Sequence, residues 1–224
     1  MDSQELKDRL REKCAELGAP LFGVCRINDL IKDFHREIKK SAERLHTAIS
    51  IGIPLSGAVM DTIEKRPNMI YKGHYQQVNH ALNDVSLAIA RLLEKAGFDA
   101  IPIPASQIVD WKPLRAHLSH REIAYKAGLG WWGRNNLLVT NTYGAKVRLV
   151  TVLTDADLPV DRPSVEDCGG CMECLYVCPA KAIAIDKEGF NLEACFAKIT
   201  EFSRQNNYGH LICGICLKAC NGGD

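Results

Sequence analysis

Leu6, Leu10, Cys14 and Leu17 recur on one face of a 3.6-residue period within an otherwise charged stretch, which predicts an amphipathic helix starting near Ser3. Asp2 or Ser3 is placed to cap it, and Gly18 to end it. The pattern then changes. "PLFGVCRI" (Pro20 to Ile27) and "HTAISIGIPL" (His46 to Leu55) are short apolar runs and read as buried strands. Val78, Leu82, Val85, Ile89 and Leu92 predict a long helix from about Tyr75 to Ala96, stopped by Gly97. "AIPIPA" (Ala100 to Ala105) is a strand whose prolines confine it to an edge or an irregular position. "SHREIAYKA" reads as helix, and "AKVRLVTVLTD" (Ala145 to Asp155) is the clearest strand. Helices and strands mix without regular βαβ repetition, so the class is α+β.

Composition narrows the setting. The 224 residues are 46% hydrophobic and 25% charged, the balance of an ordinary globule, with a formal charge of +1. That neutrality gives no support to a broad nucleic-acid-binding surface. The first residues, "MDSQELKDRLREKC", lack the apolar core of a signal peptide, and no apolar run reaches the ~18 residues of a membrane helix. The expectation is a cytoplasmic protein with no membrane partner.

Cysteine changes the picture most. Eight of the ten cysteines fall after residue 167. With no export signal, that points to metal chemistry rather than a disulfide scaffold. "DADLPVDRP" (Asp155 to Pro163) looks like a linker, giving expected domains of residues 1–157 and 158–224. Cys168, Cys171, Cys174 and Cys178-Pro179 reproduce the C-x2-C-x2-C-x3-C-P run of bacterial ferredoxins, in which the fourth cysteine serves the other cluster. Cys195, Cys213, Cys216 and Cys220 bring the ligands to eight, enough for two [4Fe–4S] clusters. The first cluster takes Cys168, Cys171, Cys174 and Cys220; the second takes Cys178, Cys195, Cys213 and Cys216. The fourth cysteine of the run is expected to start a helix leading away from the first cluster. Zinc knuckles need separate pairs, which this spacing fits poorly. Cys14 and Cys25 read as small buried apolar residues.

A second signal is "AGLGWWGRNN" (Ala127 to Asn136), where three glycines permit close backbone approach and two tryptophans offer flat apolar area. Its G-x-G-x-x-G string follows a helix rather than a strand, so the dinucleotide-binding context fails. Asp110 follows the apolar pair Ile108-Val109, where partial desolvation would make it a proton donor. His117 and His120 flank the same segment and read as surface or capping groups or as a proton relay. His74 and His80 do not share a helix face, Tyr71 and Tyr75 suit aromatic packing, and Arg36 to Arg44 is a charged helix face.

Taken in order, Val109-Asp110 with Pro113, then "KAGLGWWGRN", a strand, C-x2-C-x2-C-x3-C-P, a lone cysteine and C-x2-C-x3-C resemble epoxyqueuosine reductase from about residue 20 to 221. That family groups with the reductive dehalogenases among iron–sulfur, cobalamin-dependent reductases. The resemblance implies a nitroreductase-like α/β sandwich holding a corrinoid (cobalamin) and a ferredoxin-like domain carrying both clusters. It implies Asp110 as general acid. It implies a corrinoid lined by Gly128, Leu129, Gly130, Trp131, Gly133, Arg134 and Asn135. This sequence departs from the family in a longer connection after Asp110 and in Asn221 after the last cysteine, and the expectation is a short form without the C-terminal helical-repeat region that helps the family grip tRNA. The expected partners are a low-potential donor of ferredoxin or flavodoxin type and a small-molecule or corrinoid-protein substrate, with tRNA as another candidate. Two functions stay open: a reductase passing electrons through both clusters to a bound corrinoid, and an electron-transfer protein that reactivates a partner.

Overall fold

The Asp2 side chain accepts from the backbone N–H of Glu5 at 2.7 Å and caps helix α1 (Ser3–Glu16). The computed structural model describes residues 2–112, 114–205 and 209–222; Pro113 of the acid segment lies outside the described residues. Helix α1 buries Leu6, Leu10 and Cys14 as its period requires. Leu17 instead falls on the C-cap and is exposed, and Gly18 ends the helix in the left-handed region at φ +82°.

Strands β1 (Leu21–Arg26) and β2 (Thr47–Pro54) pair antiparallel, from Leu21 opposite Gly52 to Arg26 opposite Thr47. Strand β3 (Ala100–Ile103) pairs antiparallel with a later strand, Val147–Thr154, through Ile103 opposite Thr151. The four form one sheet in which β3 is an edge, the position its proline allows. Between these elements come helices α2 (Arg36–Ala42), α3 (Gly57–Asp61) and α4 (Met69–Lys95). Helix α4 begins six residues before the expected start at Tyr75, because Asn68 accepts from the N–H of Tyr71 while Met69 and Ile70 stay exposed.

After β3 comes a two-residue ribbon, β4 (Asp110–Trp111) with β5 (Leu114–Arg115), and then helix α5 (His120–Lys126), capped by Ser119. A second short hairpin, β6 (Trp131–Trp132) with β7 (Leu138–Val139), precedes the sheet strand β8 (Val147–Thr154). The cysteine-rich stretch adds α6 (Glu173–Val177), α7 (Leu192–Arg204) and α8 (Ile215–Ala219).

The chain divides into two compact units, each assembled from three segments. The first comprises Met1–Ile53, Asn79–Leu129 and Arg148–Ser164; the second comprises Pro54–Val78, Gly130–Val147 and Val165–Asp224. The core of the first joins Cys25, Ile27, Phe34, Leu45, Ile123 and Leu153. Helix α5 presses on β1 so closely that a Cβ on Gly23 would stand 2.1 Å from the Ala127 carbonyl oxygen. No helix among the described residues is long and apolar enough to cross a membrane.

Candidate functional site

Helices α6 and α8 are near copies. Each carries one cysteine inside, Cys174 or Cys216, and ends on another, Cys178 or Cys220, which adopts an extended backbone as the C-cap. The fourth cysteine of the run therefore terminates a helix rather than starting one, which corrects the expected local geometry. A thiol inside a helix and a thiol just past its end project in different directions, so each helix serves two places.

The electrostatics show where the thiols go. Cys174 is pushed up to about 11, by burial first and then by the nearness of Cys220, Cys168 and Cys171. Cys213 is also pushed up to about 11, by burial and then by Cys195 and Cys178. Cys216 is raised well above the ordinary thiol value by burial, with Cys213, Cys178 and Cys195 among its neighbours and Cys174 the weakest contributor. One gathering thus holds Cys168, Cys171, Cys174 and Cys220; the other holds Cys178, Cys195, Cys213 and Cys216. So many partly buried thiols resist ionisation unless a cation compensates them.

All ten cysteines are free, which sets disulfides aside. A single zinc ion, at about 2.3 Å from each sulfur, needs its thiolates about 3.8 Å apart. Among the described residues no three cysteine sulfurs lie within 4.8 Å of one another. A cubane, which gives each thiolate its own iron, accepts that wider spacing. The sulfurs also receive backbone donors: the N–H groups of Ala145 and Gly222 serve Cys220, that of Ile215 serves Cys213, and that of Ala182 reaches Cys178 Sγ at 3.4 Å. Hydrogen bonds of this kind stabilise thiolates at iron–sulfur centres. The donor set therefore fits two [4Fe–4S] centres. Cys14 and Cys25 stand apart, each pushed up to about 12 mainly by burial.

The glycine-rich bend is used by the chain itself. A Cβ on Gly130 would stand 1.9 Å from the Val139 carbonyl oxygen, one on Gly133 would stand 2.6 Å from Val139 Cγ2, and one on Gly128 would stand 2.5 Å from the Arg162 carbonyl oxygen. The Leu129 side chain lies against β1, 2.5 Å from a Cβ built on Gly23. Trp131 is 2% exposed and packs with Val139 and Ala145, against which Cys168 and Cys220 lie. Arg134 donates from Nη2 to the Gly169 carbonyl at 2.8 Å, and Asn135 is buried. None of these close approaches needs a corrinoid to explain it.

Asp110 sits in β4 with its side chain 44% exposed, and Ile108 is exposed as well, so the carboxyl group is at most partly desolvated. Its neighbour is His35, which the sequence did not single out. His35 caps α2: Nδ1 accepts from the N–H of Glu37 at 3.4 Å. That assigns the ring proton to Nε2, which faces the Asp110 carboxylate at 3.4 Å. His117 approaches Glu37 at 2.9 Å through Nε2 and accepts from the His35 N–H at its carbonyl, also at 2.9 Å. His35, Glu37 and His117 place ligand atoms within 4.8 Å of one another, the one such trio among the described residues. The Nδ1 lone pair of His35 is spent on the helix cap, so the trio is better explained as a hydrogen-bonded network around Asp110 than as a metal site. His120 takes no part. Both of its nitrogens are engaged, by Thr151 Oγ1 at 2.8 Å and the Pro104 carbonyl at 3.0 Å. His74 accepts from the Ser56 N–H, and Tyr71 and Tyr75 pack edge to face.

No protein-family model matches the chain. Epoxyqueuosine reductase of Vibrio cholerae is 26% identical over 212 residues, which is 83% of this chain and 56% of that protein. Epoxyqueuosine reductase of Streptococcus thermophilus superposes with a TM-score of 0.68 at 20% identity, covering 97% of this chain and 66% of that one. The catabolic reductive dehalogenase NpRdhA, in complex with 3-bromo-4-hydroxybenzoic acid, superposes at 0.75 with 20% identity, covering 98% of this chain and 32% of that one. By sequence the chain is epoxyqueuosine reductase-like, and it is similar to the reductive dehalogenase in fold. This epoxyqueuosine reductase-like chain spans between 22% and 56% of the length of the first curated relatives it matches. At this identity the structural likeness establishes the mixed α/β fold that the two groups share.

Proposed function

We propose that the chain is an iron–sulfur oxidoreductase in which two [4Fe–4S] centres deliver electrons to a substrate-reducing site and Asp110 supplies a proton. The observation that carries this reading is the interchange of ligands between α6 and α8. Cys174 joins one group of four thiols and Cys178 the other, while Cys216 and Cys220 do the reverse. The second unit is accordingly ferredoxin-like, with its two centres close enough for Cys216 and Cys174 to sense one another. The unit built on the four-stranded sheet is the nitroreductase-like one and carries Asp110 and His35.

A corrinoid is the acceptor that the relatives suggest. A reductive dehalogenase of this fold performs B12-dependent dehalogenation. When bound, that cofactor supplies a strongly reducing cobalt centre. Gly128 to Asn135 would line it by resemblance: the three glycines of that stretch lie close to the chain itself, while Trp131, Arg134 and Asn135 keep buried side-chain donors that no described residue serves. His35 faces the Asp110 carboxyl group with Nε2, where it orients that group and is placed to return the proton Asp110 gives up. An epoxyqueuosine reductase of this fold has been solved with an epoxyqueuosine-modified tRNA stem loop, which makes that RNA the first substrate to assay.

The deciding experiment is anaerobic purification with analysis of iron, sulfide, cobalt and zinc, followed by EPR of the reduced protein. Two interacting [4Fe–4S] signals and retention of added cobalamin are expected. Zinc in place of iron, or a single cubane per chain, overturns the reading. Retention of both cubanes without cobalamin, together with an Asp110→Ala variant that still supports full electron transfer to a corrinoid protein, favours the electron-transfer role instead.

A further inference from the structure

Trp131 Nε1, Arg134 Nε and Asn135 Nδ2 are buried in the second unit and meet no hydrogen-bond acceptor among the described residues. Leaving a buried donor unserved is costly, and native proteins rarely tolerate it. Here three occur within five residues. Each can only donate. The indole and the guanidinium have no lone pair to offer, and the Asn135 oxygen already accepts from the Leu137 N–H at 3.2 Å.

Two of the donors are placed beside the thiols by their contacts, and Asn135 follows Arg134 in the chain. Trp131 packs in the small cluster that Cys168 and Cys220 adjoin. Arg134 already reaches the Gly169 carbonyl, inside the loop between Cys168 and Cys171. The cysteine sulfurs do not consume these donors, since backbone N–H groups of Ala145 and Gly222 serve Cys220. What fits is an acceptor that is anionic, carries several lone-pair atoms in a small volume and lies against this thiol group. The bridging sulfides of a cubane have those properties.

We propose that Trp131, Arg134 and Asn135 donate hydrogen bonds to the sulfides of the centre held by Cys168, Cys171, Cys174 and Cys220, and so raise its reduction potential. The inference rests on the iron–sulfur reading above and moves these three residues from the corrinoid to the cluster. Reduction adds negative charge, which N–H donors stabilise, so hydrogen bonds to cluster sulfur favour the reduced state.

The test is an anaerobic redox titration followed by EPR on fully loaded protein, with iron and sulfide measured per chain. Trp131→Phe keeps the ring and removes the N–H. Asn135→Asp keeps the oxygen that receives the Leu137 N–H and replaces the donor by a second oxygen. With iron retained, each variant is expected to lower one midpoint by roughly tenfold in its reduction equilibrium, about 59 mV for a one-electron couple. The other midpoint stays, and the centre that moves is the one lost in Cys220→Ser. If the first variant sheds iron, the second decides alone. Unchanged midpoints, or equal shifts in both centres, overturn the proposal. Absence of cubanes from the wild-type protein is a separate failure and overturns the iron–sulfur reading itself.

Discussion

His35 Nε2 lies 3.4 Å from an Asp110 carboxylate oxygen, although 75 positions separate the two residues in the chain. Nδ1 of the same ring caps α2 at Glu37, which leaves Nε2 to face the Asp110 carboxyl group. Asp110→Asn is expected to lower turnover on an epoxyqueuosine-modified stem loop by about 10²–10⁴, the usual cost of losing a general acid. Turnover retained within a few-fold would remove Asp110 from the chemistry.

His35→Asn separates positioning from folding. Asparagine is a good N-cap, so α2 keeps its start, while the shorter side chain no longer reaches Asp110. The expected outcome is a smaller loss than for Asp110→Asn, with an altered pH profile for kcat. A lowered melting temperature with an unmoved profile would make His35 purely structural.

The ligand sets predict how iron is lost. Cys220→Ser should remove one centre and Cys216→Ser the other, each halving the iron content, because every cubane needs its four thiolates. Cys14→Ala should leave iron unchanged, since that thiol is buried away from both groups. Equal, complete iron loss from either ligand variant would mean that the thiols hold a single centre.

Gly144 guards the same ligand through backbone geometry. Its φ is +58°, and an added Cβ would stand 2.2 Å from the Cys220 carbonyl oxygen. Gly144→Ala carries a left-handed penalty of about 1–2 kcal/mol and must also displace the Cys220 backbone. Selective loss of the first centre is expected, measured as half the iron and one surviving EPR signal. Full retention of both centres would show that the loop yields without moving Cys220.

Much of this was legible in the sequence, for identifiable reasons. Apolar periodicity located α1 and α4, and unbroken apolar runs located β1, β2 and β8, because successive strand residues are buried on both sides of the sheet. For the cysteines, spacing supplies the expected grouping, because the ferredoxin run encodes which thiol crosses to the other centre. The hairpins β4–β5 and β6–β7 are two-residue ladders, too short for a period of two to appear. His35 was invisible because its significance depends on β4, brought to it by the fold rather than by the chain. The bend glycines were legible as close approaches, but the sequence could not say that the approaching group was Val139 or Arg162.

His120 gives the chain an acid-sensitive element independent of the clusters. Burial pushes its pKa down to about 4, and the neighbouring charges of Arg148 and His117 act in the same direction, against the Pro104 carbonyl bond. The unfolded ring titrates near 6.5, so between pH 6.5 and 4 the unfolded chain binds a proton that the folded chain refuses. The stabilising contribution is therefore complete above pH 6.5 and is lost as pH falls towards 4. The ring keeps some accessible edge, which limits the effect to about 1–3 kcal/mol. In urea titrations at pH 7 and pH 5, wild-type protein should lose more stability than His120→Gln, which carries no titrating group at that position. Parallel losses in the two proteins would assign the acid sensitivity elsewhere.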